Sequence, residues 1–363
     1  MRPLYVVGTD RNVGKTTFCL GLITNLRKRG LSVGYIKPLG QRYKVADGRP
    51  IHDDALVVSR ALGLEAESAN MVLPLGHGRV EQEVFDLHTP ELAEKITASV
   101  DSLRNRHDLV VIEGMGHVAM GSCLKMSAAD VARVVGARTL LIGGGGIGRA
   151  IDAIALCATF LETKNADLAG VVINKVWPAK YKRVKEAVTQ GLENLGIRSF
   201  GTVPYEPVLS APTVRQVADQ LNAEVLCGEA SLSNRVETTV IAAMESDHMV
   251  TYLRERALVI TPGDRADNIL AVLSTYVLDK RQRHPVSGLV LTGGFRPTGT
   301  LMTLLADSAI PTLLCQEDTY TLAGKLSELI FKITPDDQTR IQQAVCTVGE
   351  YVDVDAILKA LAE

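Results

Sequence analysis

No sign of charge dominates this chain: 39 lysines and arginines stand against 41 aspartates and glutamates, a formal net charge of −2. A global attraction to nucleic acid or to an anionic membrane is thereby excluded, so any phosphate ligand has to be held by local geometry. Also lacking is any apolar stretch approaching the ~20 residues that span a bilayer. Met1-Arg2-Pro3 runs straight into a strand pattern without a signal-like core, which sets the expectation of a cytoplasmic protein. The six cysteines, Cys19, Cys123, Cys157, Cys227, Cys315 and Cys346, are scattered. With no Cys-x-x-Cys pair and no histidine spacing typical of zinc, they read as reduced thiols, mostly in cores. Low-complexity segments and obvious internal repeats are absent too.

What is present fits globular α/β domains. The 363 residues, 46% apolar and 22% charged, suit two domains with sizeable cores. Short β-rich runs at Leu4–Val7, Ser32–Lys37, Leu109–Glu113, Thr139–Ile142, Leu168–Asn174 and Ser199–Val203 alternate with amphipathic segments. That alternation predicts a parallel sheet with helices on both faces. Prolines at 204, 207 and 212 and a loss of periodicity put a domain boundary at about residue 211. A second series follows, with strands at Glu237–Ala243, Ala257–Thr261, Ser287–Thr292 and Thr312–Cys315 and helices at Asp267–Leu278 and Thr300–Ser308. It predicts a smaller α/β domain over 212–363. Val354, Ile357, Leu358 and Leu361 give its tail a helical spacing.

Between the first strand and the first helix the chain reads Gly8-Thr9-Asp10-Arg11-Asn12-Val13-Gly14-Lys15-Thr16-Thr17. Glycines at 8 and 14 let backbone N–H groups curl inward around a polyphosphate. Lys15 supplies a mobile point charge, and Thr16 can place a hydroxyl on Mg²⁺. The helix starting near Gly14 aims its positive end at the phosphates. The Gly8-to-Gly14 spacing is one residue longer than in the commonest loop of this kind.

Three further residues belong at the same sheet edge. Val110-Val111-Ile112-Glu113-Gly114 is an apolar strand ending in an acid, which makes Glu113 the first choice for a Mg²⁺ partner; a capped turn is the plainer alternative. His52-Asp53-Asp54 opens a helical run in which one aspartate is expected to cap the helix while the other, Asp54, faces the metal. Lys37 ends the second strand before Pro38, where its ammonium could neutralise a transferred phosphoryl group or a substrate carboxylate. The run from Gly143 to Gly148 formally matches a dinucleotide fingerprint. It lies on a late strand with Glu162 and Asp167 poorly placed, so a tight loop at the sheet rim is the better reading.

Together the loop, Lys37-Pro38, Asp54-Ala55-Leu56 and Val111-Ile112-Glu113-Gly114 resemble dethiobiotin synthetase over about residues 1 to 210. The resemblance implies a P-loop NTPase fold that uses Mg-ATP to activate a carbamate. It implies Lys15 and Thr16 on phosphate and metal, Lys37 near the reacting group, and Asp54 and Glu113 at the metal. The nucleotide would lie along Gly8, Asn12, Val13, Gly14, Lys15, Thr16 and Thr17, with Asn174 reading adenine and Pro204 flanking the base. Gly40-Gln41-Arg42-Tyr43 stands where that family carries a small-residue and serine loop.

From about residue 211 the chain is similar to a DRTGG domain, on Thr213-Val214-Arg215, Gly263-Asp264-Arg265-Ala266-Asp267 and Leu291-Thr292-Gly293-Gly294. The glycines beside Arg265 and Thr292 could form an anion nest, or simply tight turns. This order of domains resembles the amino-terminal regulatory part of long-form phosphate acetyltransferase, without the acetyl-transfer domain. Two functions stay open. One is ATP-dependent activation of a small carboxylate or carbamate, with Lys15 and Lys37 as catalytic groups. The other is a free-standing nucleotide sensor. The expected partners are a nucleoside triphosphate, an unidentified small acid or regulatory metabolite and, by resemblance alone, a second copy of the chain; nucleic acid and membrane are not among them.

Overall fold

The six apolar runs of the first half all become strands of one sheet: Leu4–Gly8, Val33–Ile36, Leu109–His117, Arg138–Gly143, Leu168–Val176 and Ser199–Pro204. Across the sheet the order is Ser199–Pro204, Leu168–Val176, Arg138–Gly143, Leu4–Gly8, Leu109–His117, Val33–Ile36, with every pairing parallel. The structure is a computed structural model that describes residues 1–40, 43–46, 49–64, 72–74, 79–85, 89–278, 286–329 and 331–363. Gln41 and Arg42, where the chain departs from the resembled loop, lie outside the described residues.

Parallel strands carry helices on their faces, so central strands are apolar on both sides. In Leu4–Gly8, Tyr5 and Val7 join one core cluster with Ile96, Ile112, Leu141 and Ile173. Leu4 and Val6 alternate to the opposite face and are just as buried. The helix Lys15–Lys28 packs against this sheet and leaves the end of its first strand through the phosphate loop. Helices Thr89–Arg104, Gly148–Thr163 and Tyr181–Asn194 bury apolar stripes such as Leu92, Ile96 and Val100 or Val184, Val188 and Leu192.

The chain divides into two compact units, Met1–Glu206 with Ile333–Glu363, and Pro207–Lys332. The expected second domain, 212–363, therefore differs at its far end: residues 333–363 return to the first unit. The reason lies in the first helix, which is buried on almost every side, from Phe18 through Ile23 and again at Asn25 and Leu26. One sheet cannot cover a helix that is apolar all round, so a second element has to. The helix Gln338–Tyr351 does so. Asn25 Nδ2 donates to the carbonyls of Gly21 and Val345 at 2.9 Å each. Gly21 lies so close that an added Cβ would meet the Ala344 carbonyl oxygen at 2.5 Å. The helix Val354–Ala362 buries Ile357 and Leu361 in the same unit.

In the second unit a five-stranded sheet runs Glu224–Cys227, Thr312–Leu314, Val286–Thr292, Ala257–Pro262, Thr238–Ile241. Its pairings are parallel except for the antiparallel edge made by Glu224–Cys227. That edge strand was not anticipated, because it is only four residues long and at most half-buried. All six cysteines are free; Cys19, Cys157 and Cys315 are buried, while Cys123 and Cys346 are exposed. No helix among the described residues is long and apolar enough to cross a membrane.

A Gly21→Val substitution drives a branched side chain into the backbone of the Gln338–Tyr351 helix. Urea unfolding is expected to show a loss of about 1–3 kcal/mol, the usual range for overpacking a close-packed contact. An unchanged midpoint and slope would mean that this helix contact contributes nothing to stability.

Candidate phosphate and metal site

Strand Leu4–Gly8 ends at Gly8, paired on both sides to Ile142 and His117, and the chain then wraps back to start the helix at Lys15. Two residues of the wrap have left-handed backbones, Asn12 (φ 60°) and Gly14 (φ 96°). At Gly14 a side chain is excluded twice, by the positive φ and by Asn174, whose Nδ2 would sit 2.5 Å from an added Cβ. Val13 is buried, and Thr16 and Thr17 are half-buried at the helix start. Lys15 folds over the loop and donates to the carbonyls of Gly116 at 3.1 Å and Asp10 at 3.4 Å. Burial pushes its ammonium down to about 8, opposed in part by the Glu113 charge.

Beside the loop lies a buried polar cluster. Lys37 is 5% exposed, Asp54 6% and Glu113 1%, which settles that these charges must satisfy one another rather than water. The Lys37 ammonium bridges Asp54 Oδ2 at 2.6 Å and Glu113 Oε1 at 2.7 Å. Thr16 donates its hydroxyl to the same Glu113 oxygen at 2.8 Å. Tyr35 donates to the other, Oε2, at 2.8 Å. Burial works against the Lys37 charge, but the Glu113 and Asp54 carboxylates outweigh it and hold the ammonium above the ordinary lysine range. Tyr35 is pushed well above the usual tyrosine range by burial and then by Glu113, so it stays an O–H donor.

Sequence reasoning thus named four members of one cluster, Thr16, Lys37, Asp54 and Glu113, and missed the fifth. Tyr35 was detectable: it lies in the strand Val33–Ile36, two residues before Lys37 just past its end, and period two puts both on one face. The cap of the Asp53–Leu62 helix differs from the expectation of an aspartate. His52 takes that position, extended, with its Nδ1 accepting from the Asp54 amide at 3.0 Å. Asp53 and Asp54 fall inside the first turn, because the hairpin strand Arg49–His52 carries an extended backbone up to the residue before them.

On the other side of the loop, Asn174 Nδ2 donates to the Val13 carbonyl at 2.8 Å, and its Oδ1 accepts from the Lys175 amide at 2.9 Å. Lys175, also missed, donates to the Asn12 carbonyl at 2.6 Å. Pro204 ends the neighbouring strand, opposite Val176. The glycine run 143–148 serves this junction: an added Cβ at Gly145 would lie 2.5 Å from the Lys175 carbonyl oxygen. A rim loop of glycines, as expected, lets two strand ends approach.

The suggested anion nest in the second unit does not form. The amides of Gly293 and Gly294 donate to the carbonyls of Glu317 and Cys315 at 2.8 and 2.9 Å, and that of Gly263 to Thr292 at 3.1 Å. Arg265 is held by Asp267 at 2.7 Å. The glycines here make turns.

With the fold and loop in view, comparison with known proteins is decisive for the family. A family model described as an AAA domain matches residues 2–213, more than half of the chain. The chain belongs to this AAA domain family. A DRTGG domain model matches residues 216–329, so a P-loop NTPase-like AAA domain is followed by a DRTGG domain. Phosphate acetyltransferases of Pseudomonas putida and Synechocystis are 28% and 25% identical over 97% and 99% of this chain. Each alignment covers 51% of the relative, so the chain spans about half the length of the proteins it matches. Among solved structures, the MinD cell division protein of Aquifex aeolicus covers 58% of this chain and 84% of its own, at 19% identity and a TM-score of 0.38.

Removing Lys37 strands two buried carboxylates. Lys37→Ala is expected to lower unfolding free energy by about 3–5 kcal/mol, the usual penalty for breaking a buried ion pair from one side. Adding Asp54→Asn and Glu113→Gln should recover much of the loss, since no uncompensated charge then remains. A single variant within about 1 kcal/mol of the parent in urea titrations would show that water reaches the cluster.

Proposed function

We propose that the first unit binds a nucleoside triphosphate, ATP in particular, together with Mg²⁺, and that the chain is a nucleotide-responsive regulatory protein. The observation that carries this reading is the hydroxyl of Thr16, in the first turn of the loop helix, held 2.8 Å from a buried carboxylate of Glu113. Hydroxyl and carboxylate oxygens are the donors that Mg²⁺ accepts beside phosphate oxygens. The residues that would hold the ion are Thr16 and Glu113, with Asp54 next to them. When bound, the ion would neutralise polyphosphate charge.

The loop backbone from Asn12 to Thr17 and the helix N-terminus would supply amides to the phosphates. Lys15 now donates to two main-chain carbonyls, and phosphate oxygens would be stronger acceptors for it. Gly8 gives the loop its exit from the strand. Asn174 and Pro204 lie at the ends of adjacent strands and would border the base.

Two observations favour response to a nucleotide over group transfer. Lys37, the residue expected at a reacting phosphoryl or carboxylate, is committed to two carboxylates and nearly inaccessible. The relatives are phosphate acetyltransferases, of which the chain matches about half. A small acid or regulatory metabolite as effector, self-association and a cytoplasmic setting belong to the same reading.

Calorimetry on the full chain with Mg²⁺ should show saturable ATP binding. Lys15→Ala should weaken it about 10- to 150-fold, the range for one charge-assisted contact. Glu113→Gln should remove most of the Mg²⁺ dependence. Turnover should stay slow whatever small carboxylates or amines are added. Strong stimulation by such a compound would replace the regulatory reading with phosphoryl transfer, and no binding of any nucleotide would end both.

A further inference from the structure

The only tryptophan of the chain, Trp177, is 65% exposed. A large apolar ring left in water at a strand end is unusual enough to ask what it faces. It stands immediately after the strand Leu168–Val176, whose Asn174 and Lys175 side chains bond the phosphate-loop carbonyls of Val13 and Asn12. It follows Asn174 by three positions, at most about 10 Å of extended chain. The ring is therefore presented at the same carboxyl edge of the sheet as the loop, where open α/β sheets receive ligands.

Its position is fixed from several sides. Pro178 follows directly and restricts Trp177 to an extended backbone, observed as φ −56° and ψ 128°. The Tyr205 amide donates to the Val176 carbonyl at 2.7 Å, joining this strand end to the next one just past Pro204. The rings of Trp177 and Tyr205 then meet at 4.8 Å between centroids with a 41° tilt. Tyr205 thus backs the indole without covering it. A planar aromatic surface, braced on one side and open on the other, suits a flat heteroaromatic ring.

We propose that Trp177, braced by Tyr205, is the stacking platform for the purine base of the nucleotide whose phosphates occupy the Gly8–Thr17 loop. The proposal rests on the nucleotide reading above and extends it to how the base is selected. Asn174 and Lys175, anchored on the loop, hold the platform at a set distance from the phosphate end. A ligand carrying polyphosphate but no base engages the loop and leaves the indole in water.

Since Trp177 is the sole indole, its emission reports on this contact alone. Titration of the full chain with ATP or GTP in the presence of Mg²⁺ should quench and shift that emission saturably, while inorganic tripolyphosphate should not. By calorimetry, Trp177→Ala should bind purine triphosphates about 5- to 150-fold more weakly, the range for one base on one aromatic ring. Its tripolyphosphate affinity should be unchanged, and Trp177→Phe should restore most of the loss. The residue is exposed, so the melting temperatures of both variants should match the parent. If Trp177→Ala binds ATP and GTP as tightly as the parent does, the platform is wrong while the nucleotide reading stands. If the parent binds neither nucleotide nor tripolyphosphate, both are overturned.

Discussion

The buried Lys37 ammonium between Asp54 and Glu113 is the interaction on which the first unit is organised. The three charged residues come from different elements: Lys37 follows the strand Val33–Ile36, Asp54 lies in the first turn of the helix Asp53–Leu62, and Glu113 lies in the strand Leu109–His117. Thr16, from the loop helix, and Tyr35 complete the two oxygens of Glu113. Charges taken this far from water are tolerable only when all of them are paired and hydrogen-bonded. The cluster therefore has one arrangement, and that arrangement sets where the first turn of the loop helix stands relative to a carboxylate. The divalent ion and polyphosphate proposed for this site would need oxygens placed in advance, and the ion pair fixes those of Asp54 and Glu113.

A second constraint acts on the same helix from behind. Lys15–Lys28 bears the phosphate loop at its N-terminus and is apolar nearly all round, so its outer side depends on Gln338–Tyr351. The Gly21 approach and the Asn25 bonds to both helices make this contact specific. Residues more than 300 positions apart in sequence thus share in fixing the loop helix.

The two sides of the loop differ in chemistry. On the Glu113 side the groups are oxygens and an enclosed cation, suited to metal and phosphate. On the Asn174 side the side chains reach back to loop carbonyls, and the strand end beyond them carries an exposed indole against a tyrosine. In the proposed reading, polyphosphate and base would be held on these two different sides. The second unit shows how far a motif can mislead: the Thr292-Gly293-Gly294 turn has the composition of an anion site, yet its amides are already bonded to main-chain carbonyls.

Much of this could be read before any coordinates. The six strands of the first sheet, the phosphate loop and the acids and lysine beside it follow from local signals, because strand periodicity, turn glycines and helix starts depend on residues a few positions apart. What sequence could not supply was anything set by neighbours across the sheet. Lys175 on Asn12 and the Trp177–Tyr205 pair need the strand order. The His52 cap needs the actual end of a hairpin strand, and the return of residues 333–363 needs the unmet burial of a helix formed at the other end of the chain. Sequence by itself determined which residues carry charge, hydroxyl or ring and on what element each is borne. Tertiary structure alone decided which of them meet, since burial forces charges and donors to find partners that only the packed fold brings within reach.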